Sequence, residues 1–119
     1  MVESKRFSRN SRLTSPSDFQ KVFDSNTRSA DSSFVVLARP NGLDVPRLGF
    51  AVSARRVRLA VTRNLIKRIV RESFRLQQEQ LSGLDIVVLV QKPVLKADRR
   101  LLRASIERHW KKIAQCKSS

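Results

Sequence analysis

The seven residues LDIVVLV, positions 84–90, constrain this chain more than any other stretch. Gly83 precedes them and QKP follows them, and only Asp85 is polar, so no alternation separates a wet face from a dry one. A strand that is apolar on both faces needs a layer of structure over each side. The rest of the chain therefore has to supply neighbouring strands and helices that cover both surfaces of a sheet.

The remaining segments can do so. SSFVVLAR (32–39) reads as a second strand, and PNGLDVP (40–46) breaks it with Pro, Asn-Gly and Pro. RLGFAVS (47–53) alternates: Leu48, Phe50 and Val52 face one side and belong in a core, while Gly49, Ala51 and Ser53 form a small-residue face over which something bulky can lie. A short helix is expected at about 17–23, capped by Ser15 or Ser17, with Pro16 near its start and Phe19 and Phe23 on one face. Residues 59–78 read as a long helix. A last helix runs from an Asp98 cap through Ile113, with Leu102, Ile106, Trp110 and Ile113 along one stripe. No internal repeat or long linker interrupts the 119 residues, which suit a single domain. The expected class is α+β, an α/β sandwich of helices on a small sheet, with a flexible basic N-terminus over residues 1–11.

The helix at 59–78 is divided in charge. With residue 63 set at zero, Arg63, Lys67, Arg71, Asn64, Arg75 and Arg68 fall between about 0° and 140° on a helical wheel. Leu65, Ile66, Ile69, Val70 and Leu76 fall between about 200° and 340°. Charge runs are usually solvated, but solvated helices normally mix signs, and here Glu72 is the only acid among eight basic residues from Arg55 to Arg75. Glu72 reads as a salt-bridge partner of the arginines beside it. Arg55, Arg56, Arg58 and Arg63 crowd the helix's N-terminal end, where the macrodipole makes cations unfavourable and free N–H groups favour phosphate. Seven of the eight cations are Arg, whose fork suits phosphate and stacks on bases. With 25 Lys and Arg against 10 Asp and Glu, the net charge is +15, which calls for a polyanionic partner. Nucleic acid fits better than a membrane surface, because the helix lacks the wide apolar face of an interfacial anchor.

A second contact surface is suggested by Phe19, Phe23 and the small face of 47–53, since single strands bind on aromatic platforms with positive walls. Two Phe at helical spacing are as readily core. Catalytic groups of the chain's own are not evident. His109 is the sole histidine, beside Trp110, and is expected at the surface or its boundary. The carboxylates are scattered with no two-metal pattern, and three glycines make no phosphate loop. Cys116, alone, makes neither a disulfide nor a zinc site. No stretch approaches a membrane span and the N-terminus lacks the apolar core of a secretory signal, so a cytoplasmic location is expected.

RLGFAVSARRVRLAVTRNLIKRIVRESFR (47–75) resembles the signature of the protein-subunit family of bacterial ribonuclease P, the RNase P ribonucleoprotein. The matching positions are Ala60, Val61, Arg63, Asn64, Lys67, Arg68, Arg71, Glu72, Phe74 and Arg75. RL…DFQKVF (12–23) is similar to the family's opening helix and GLDIVVLVQKP (83–93) to its fourth strand, so nearly the whole chain is covered. The resemblance implies the order helix, three strands, helix, strand, helix around a four-stranded sheet, with a left-handed βαβ crossover. It implies an RNA-binding subunit that assists a catalytic RNA in the endonucleolytic removal of the 5′ leader from precursor tRNA, a hydrolase reaction of tRNA processing. The Mg2+ ions are then held by RNA, no protein cofactor is required, and one protein monomer serves each catalytic RNA. Arg63, Asn64, Lys67, Arg68, Arg71 and Arg75 would face the catalytic RNA. Phe19, Phe23, Phe34, Ser53 and Arg55 would line the leader cleft. Leu65 stands where the family often has Arg, Ala54 where it often has Lys, and no Tyr is present to offer a cleft hydroxyl. Size and charge alone also permit a non-catalytic structural RNA-binding protein of the ribosome. A protein-only nuclease is poorly served by the carboxylates, and a helix-turn-helix lacks its preceding helix.

Overall fold

The computed structural model describes residues 12–13, 15–24, 27–31, 33–51, 59–90 and 98–117, with only the backbone for Cys116 and Lys117. Strand β4 (Leu84–Val90) lies inside the sheet, as its double-sided apolarity requires. The sheet order is β1 (Thr27–Ala30), β2 (Phe34–Pro40), β4 and β3 (Arg47–Ala51). β2 runs antiparallel to both β1 and β4, whereas β3 runs parallel to β4. The turn at 40–46 therefore joins strands that are not paired with each other, and β4 enters between them. Gly42 supplies a left-handed residue there (φ 72°), and Asn41 Oδ1 accepts the Leu43 N–H at 2.7 Å.

One face of the sheet carries the main core. Phe34, Val36, Ala38, Leu48, Ile86 and Val88 pack beneath α2 (Ala60–Leu76) and α4 (Arg99–Lys117). α4 buries the expected stripe, Leu102, Ile106, Trp110 and Ile113. Its first turn is capped by Asp98 Oδ1, which accepts the N–H groups of Arg100 and Leu101. The Trp110 ring meets Phe74 edge-on, and its Nε1–H donates to Ser73 Oγ at 2.8 Å, so the indole is buried without an orphaned donor. After Gln77 the long helix breaks, and a short helix, α3 (Gln78–Leu81), leads through Gly83 (φ 82°) into β4.

Among the described residues, the opposite face is covered by α1 (Pro16–Phe23) and by Leu13 ahead of it. Ser15 occupies its N-cap position and Pro16 its first turn, but the Ser15 hydroxyl pairs with Ser17 Oγ instead of a backbone N–H. Asp85, the one polar residue of β4, is buried on this side. Arg47 clasps it with Nε–Oδ1 at 2.7 Å and Nη2–Oδ2 at 2.6 Å, and Asn41 Nδ2 adds a third donor at 2.9 Å. That hydrogen bonding holds the Arg47 guanidinium above its ordinary pKa against the effect of burial. Arg47 also reaches Asp18 of α1 at 3.4 Å, so a single guanidinium ties α1, β3 and β4 together.

His109 departs from the expectation of a surface position. It is 2% exposed, with Nδ1 2.6 Å from Ser29 Oγ and Nε2 3.2 Å from Asp31 Oδ1. α4 presents it to β1 and the turn into β2, where a polar residue has partners. A single-sequence wheel shows the apolar stripe but not the polar groups that await on another element.

Candidate nucleic-acid interface

α2 buries Thr62, Ile66, Ile69, Val70, Ser73 and Phe74. On the same wheel these span about 240° through 0° to 20°, so the buried arc is rotated relative to the purely apolar one. Two consequences follow. Leu76, expected on the packed side, is exposed at the helix end. Arg63 and Lys67 neighbour Phe74 and Val70 on the wheel and are half-buried. Asn64, Arg68 and Arg75 are exposed, and Arg71 is half-buried between them.

The six residues therefore form one ridge along α2. Among the described residues, no carboxylate lies within salt-bridge distance of Lys67, Arg71 or Arg75. Glu72 pairs with Arg68 (Oε1–Nε 3.5 Å) and with Arg103 of α4 (Oε2–Nη2 3.7 Å), which bears out its reading as an ion-pair partner. Arg68, Arg71, Glu72 and Arg75 line an open depression on this surface. At the other end of the ridge, α2 begins after Leu59 with no side-chain cap and no acid in its first turn.

The α1 face holds the second candidate surface. Strand register sets its side chains in rows: Gly49, Val87, Leu37 and Arg28 across the four strands, then Ala51, Leu89, Val35 and Ala30. α1 covers part of this lattice. Phe19 lies over Gly49 so closely that a Cβ at 49 would come 2.6 Å from its Cζ, which is why the small-residue face is needed. Phe23 is 42% exposed, with its ring centroid 6.4 Å from that of Phe19. Ala51, Leu37 and Leu89 are only part-covered by the described residues and cluster with Phe19, and Arg28 is exposed on the outer strand. Phe34 does not belong to this face. It is 1% exposed on the other face of the sheet, packed edge-on to His109. Leu37, three residues on and of opposite facing, takes that place. Ser53, Arg55 and residues 1–11 lie outside the described residues.

Ser29, His109 and Asp31 have the residue types of a hydrolytic triad, and their geometry argues against that role. Ser29 and His109 are both buried, and the network faces α4, where no substrate can reach the hydroxyl. Burial opposes the charge on Asp31, but hydrogen bonds from Ser105 Oγ and the Phe34 and Ser33 N–H groups, with His109 Nε2 3.2 Å away, outweigh it and hold the carboxyl well below the usual range. Burial pushes the His109 pKa down, more than the Asp31 carboxylate raises it. The imidazole hydrogen-bonds Ser29 Oγ through Nδ1, while Nε2 lies near Asp31 Oδ1 outside hydrogen-bonding geometry. The cluster is a polar clasp between α4 and the first hairpin. Among the described residues no group of His, Cys, Asp and Glu is arranged to hold a metal. No helix among them is long and apolar enough to cross a membrane.

The family model for Ribonuclease P matches residues 7–114. The ribonuclease P protein component of Methylococcus capsulatus is 50% identical over 104 residues, 87% of this chain and 81% of the relative. That of Pseudomonas entomophila is 42% identical over 117 residues, 98% of this chain and 88% of the relative. The solved Staphylococcus aureus RNase P protein superposes with a TM-score of 0.76 at 33% identity, covering 87% of this chain and 94% of that one. The Thermotoga maritima RNase P protein, solved with 1-(4-fluorophenyl)-2-thiourea, gives 0.76 at 35% identity, covering 85% and 98%. Sequence match over nearly the full length and agreement in fold converge with the basic ridge on α2: the chain belongs to the ribonuclease P protein family.

Proposed function

We propose that this chain is the RNA-binding subunit of a ribonuclease P ribonucleoprotein and assists a catalytic RNA in removing the 5′ leader of precursor tRNA. The observation that carries the reading is the α2 ridge, where Arg68, Arg71 and Arg75 stand with one acid among them and Glu72 is shared with α4. Its guanidinium forks suit backbone phosphates, so Arg63, Asn64, Lys67, Arg68, Arg71 and Arg75 contact the catalytic RNA. The α1 face of the sheet takes the single-stranded leader, with Phe19 and the exposed Phe23 offering ring surface and part-covered Leu37 and Leu89 apolar contact. Ser53 and Arg55 are proposed as its further wall, on the resemblance alone. Phosphate contacts carry little base information, so sequence preference is slight.

The chemistry belongs to the RNA. Bond cleavage uses Mg2+ held by RNA and substrate, and the protein contributes charge neutralisation and a grip on the leader. One protein copy per catalytic RNA is sufficient, and the particle works in the cytoplasm. A structural protein of the ribosome, which size and charge also allow, draws no support from the family match. Reconstitution with the catalytic RNA and a leader-bearing precursor tests the reading. Cleavage at limiting magnesium is expected to be much faster than with RNA alone. Equal rates with and without the protein overturn it.

A further inference from the structure

The ridge on α2 does not stop at the edge of that helix. Glu72, Ser73 and Phe74 are consecutive residues of α2, and they meet Arg103 and Trp110 of α4. The two helices therefore cross where the ridge carries Arg68, Arg71 and Arg75. The first five residues of α4 include Arg99, Arg100 and Arg103, all exposed. Arginines in a first turn oppose the helix dipole, as they do at the start of α2, and they do nothing for folding there. Asp98 is already committed to capping Arg100 and Leu101 and cannot neutralise all three.

Glu72 is the joint. Its Oε1 takes Arg68 Nε at 3.5 Å and its Oε2 takes Arg103 Nη2 at 3.7 Å. One carboxylate thus spaces two guanidiniums from different helices, and each keeps N–H groups that Glu72 does not use. Arg68 is 73% and Arg103 55% exposed, so those groups face solvent. A surface ion pair of this kind contributes little to stability, which leaves orientation of the two forks as its physical effect.

We propose that the phosphate-binding surface extends from α2 onto the N-terminal end of α4, with Arg103 as a further RNA contact and Arg99 and Arg100 as its continuation. The inference rests on the RNA-binding reading of α2, and the ligand is the phosphate backbone of the catalytic RNA. On the far flank of α4, Arg108 pairs with Asp31 at 3.5 Å and Lys112 follows one turn later, so that side serves as an internal control.

The test is binding of the full chain to in vitro transcribed catalytic RNA across a salt series. Arg103→Ala is expected to weaken binding roughly three- to tenfold and to make the slope of log K against log[salt] shallower by about 0.7–0.9, one phosphate's worth. Arg99→Ala moves both in the same direction. Lys112→Ala leaves both unchanged, and all three variants melt like the parent chain. Unchanged binding by Arg103→Ala and Arg99→Ala, with Arg68→Ala impaired, overturns the extension and spares the α2 reading. Unchanged binding by Arg68→Ala as well overturns both. A loss with Lys112→Ala equal to that with Arg103→Ala also overturns the extension, because it reports general charge rather than a surface.

Discussion

At the scale of single residues, Gly49 and Arg47 have different duties on one strand. Gly49 is needed because Phe19 occupies the space of its missing Cβ. Gly49→Ala is expected to push the Phe19 ring outward, costing about 1 kcal/mol of stability, the low end for overpacking because the ring can shift. If the α1 face takes the leader as proposed, the same change is expected to lower holoenzyme affinity for precursor tRNA but not for mature tRNA, which competition binding measures. Arg47 is structural. Arg47→Ala leaves Asp85, 4% exposed, without its main partner and is expected to cost toward the lower end of the roughly 3–5 kcal/mol range for a broken buried pair, read by urea denaturation. Replacing both, as Arg47→Met with Asp85→Leu, is expected to recover most of that loss. The small face at 49 and 51 was readable from alternation, since Leu48 and Phe50 mark the other side. The facing of Phe34 was not, because residues 34–38 are apolar at every position and a period of two has nothing to act on. Pairing with β4 decides it, and pairing is a property of the whole sheet.

At the scale of elements, α2 and α4 show what a wheel reads and what it misses. The basic side of α2 and the stripe of α4 follow from 3.6-residue periodicity. The rotation of the buried arc does not, because it depends on Thr62 and Ser73, and Ser73 is buried to receive the Trp110 N–H. Arg103 carries no such signal in the sequence for a related reason: its neighbour Glu72 is distant in sequence and close only once the helices cross. The clasp of Ser29, His109 and Asp31 makes the attachment of α4 to the first hairpin depend on pH. His109 is held neutral in the fold, with its pKa below the unfolded value of 6.5, so protonation favours the unfolded chain. Its contribution is complete above that pH and declines as pH falls below it. Asp31, with a depressed pKa, contributes above its ordinary range of about 4 and loses that contribution on further acidification. Stability measured by thermal melts is expected to be level from about pH 7 to 8 and to fall between about pH 6.5 and 5, with His109→Gln flattening that first decline. A parent chain whose melting temperature is constant from pH 7 to 5 would show that the imidazole is not held neutral.

At the scale of the whole molecule, a net charge of +15 on 119 residues is a cost to the isolated chain and an asset to the complex. The sheet and its core bury α2's apolar side and leave its cations outward, so the fold presents charge that its own acids do not neutralise. β1 could be anticipated only from family resemblance, since TRSA has neither length nor alternation to mark it. Polyanion binding was legible without that help, because it rests on composition and one helix period. Substituting exposed ridge residues is expected to leave folding intact or slightly improve it, as like-charge repulsion is relieved. The most direct measurement is therefore the salt dependence of catalytic-RNA binding for the parent chain and for Arg68→Ala/Arg75→Ala, with melts run on the same samples. A ridge held for phosphates gives weaker binding, a slope shallower by about 1.4–1.8 and an unchanged melting temperature. Parent-like affinity and slope in the double variant, or a melting temperature that falls in step with binding, would contradict it.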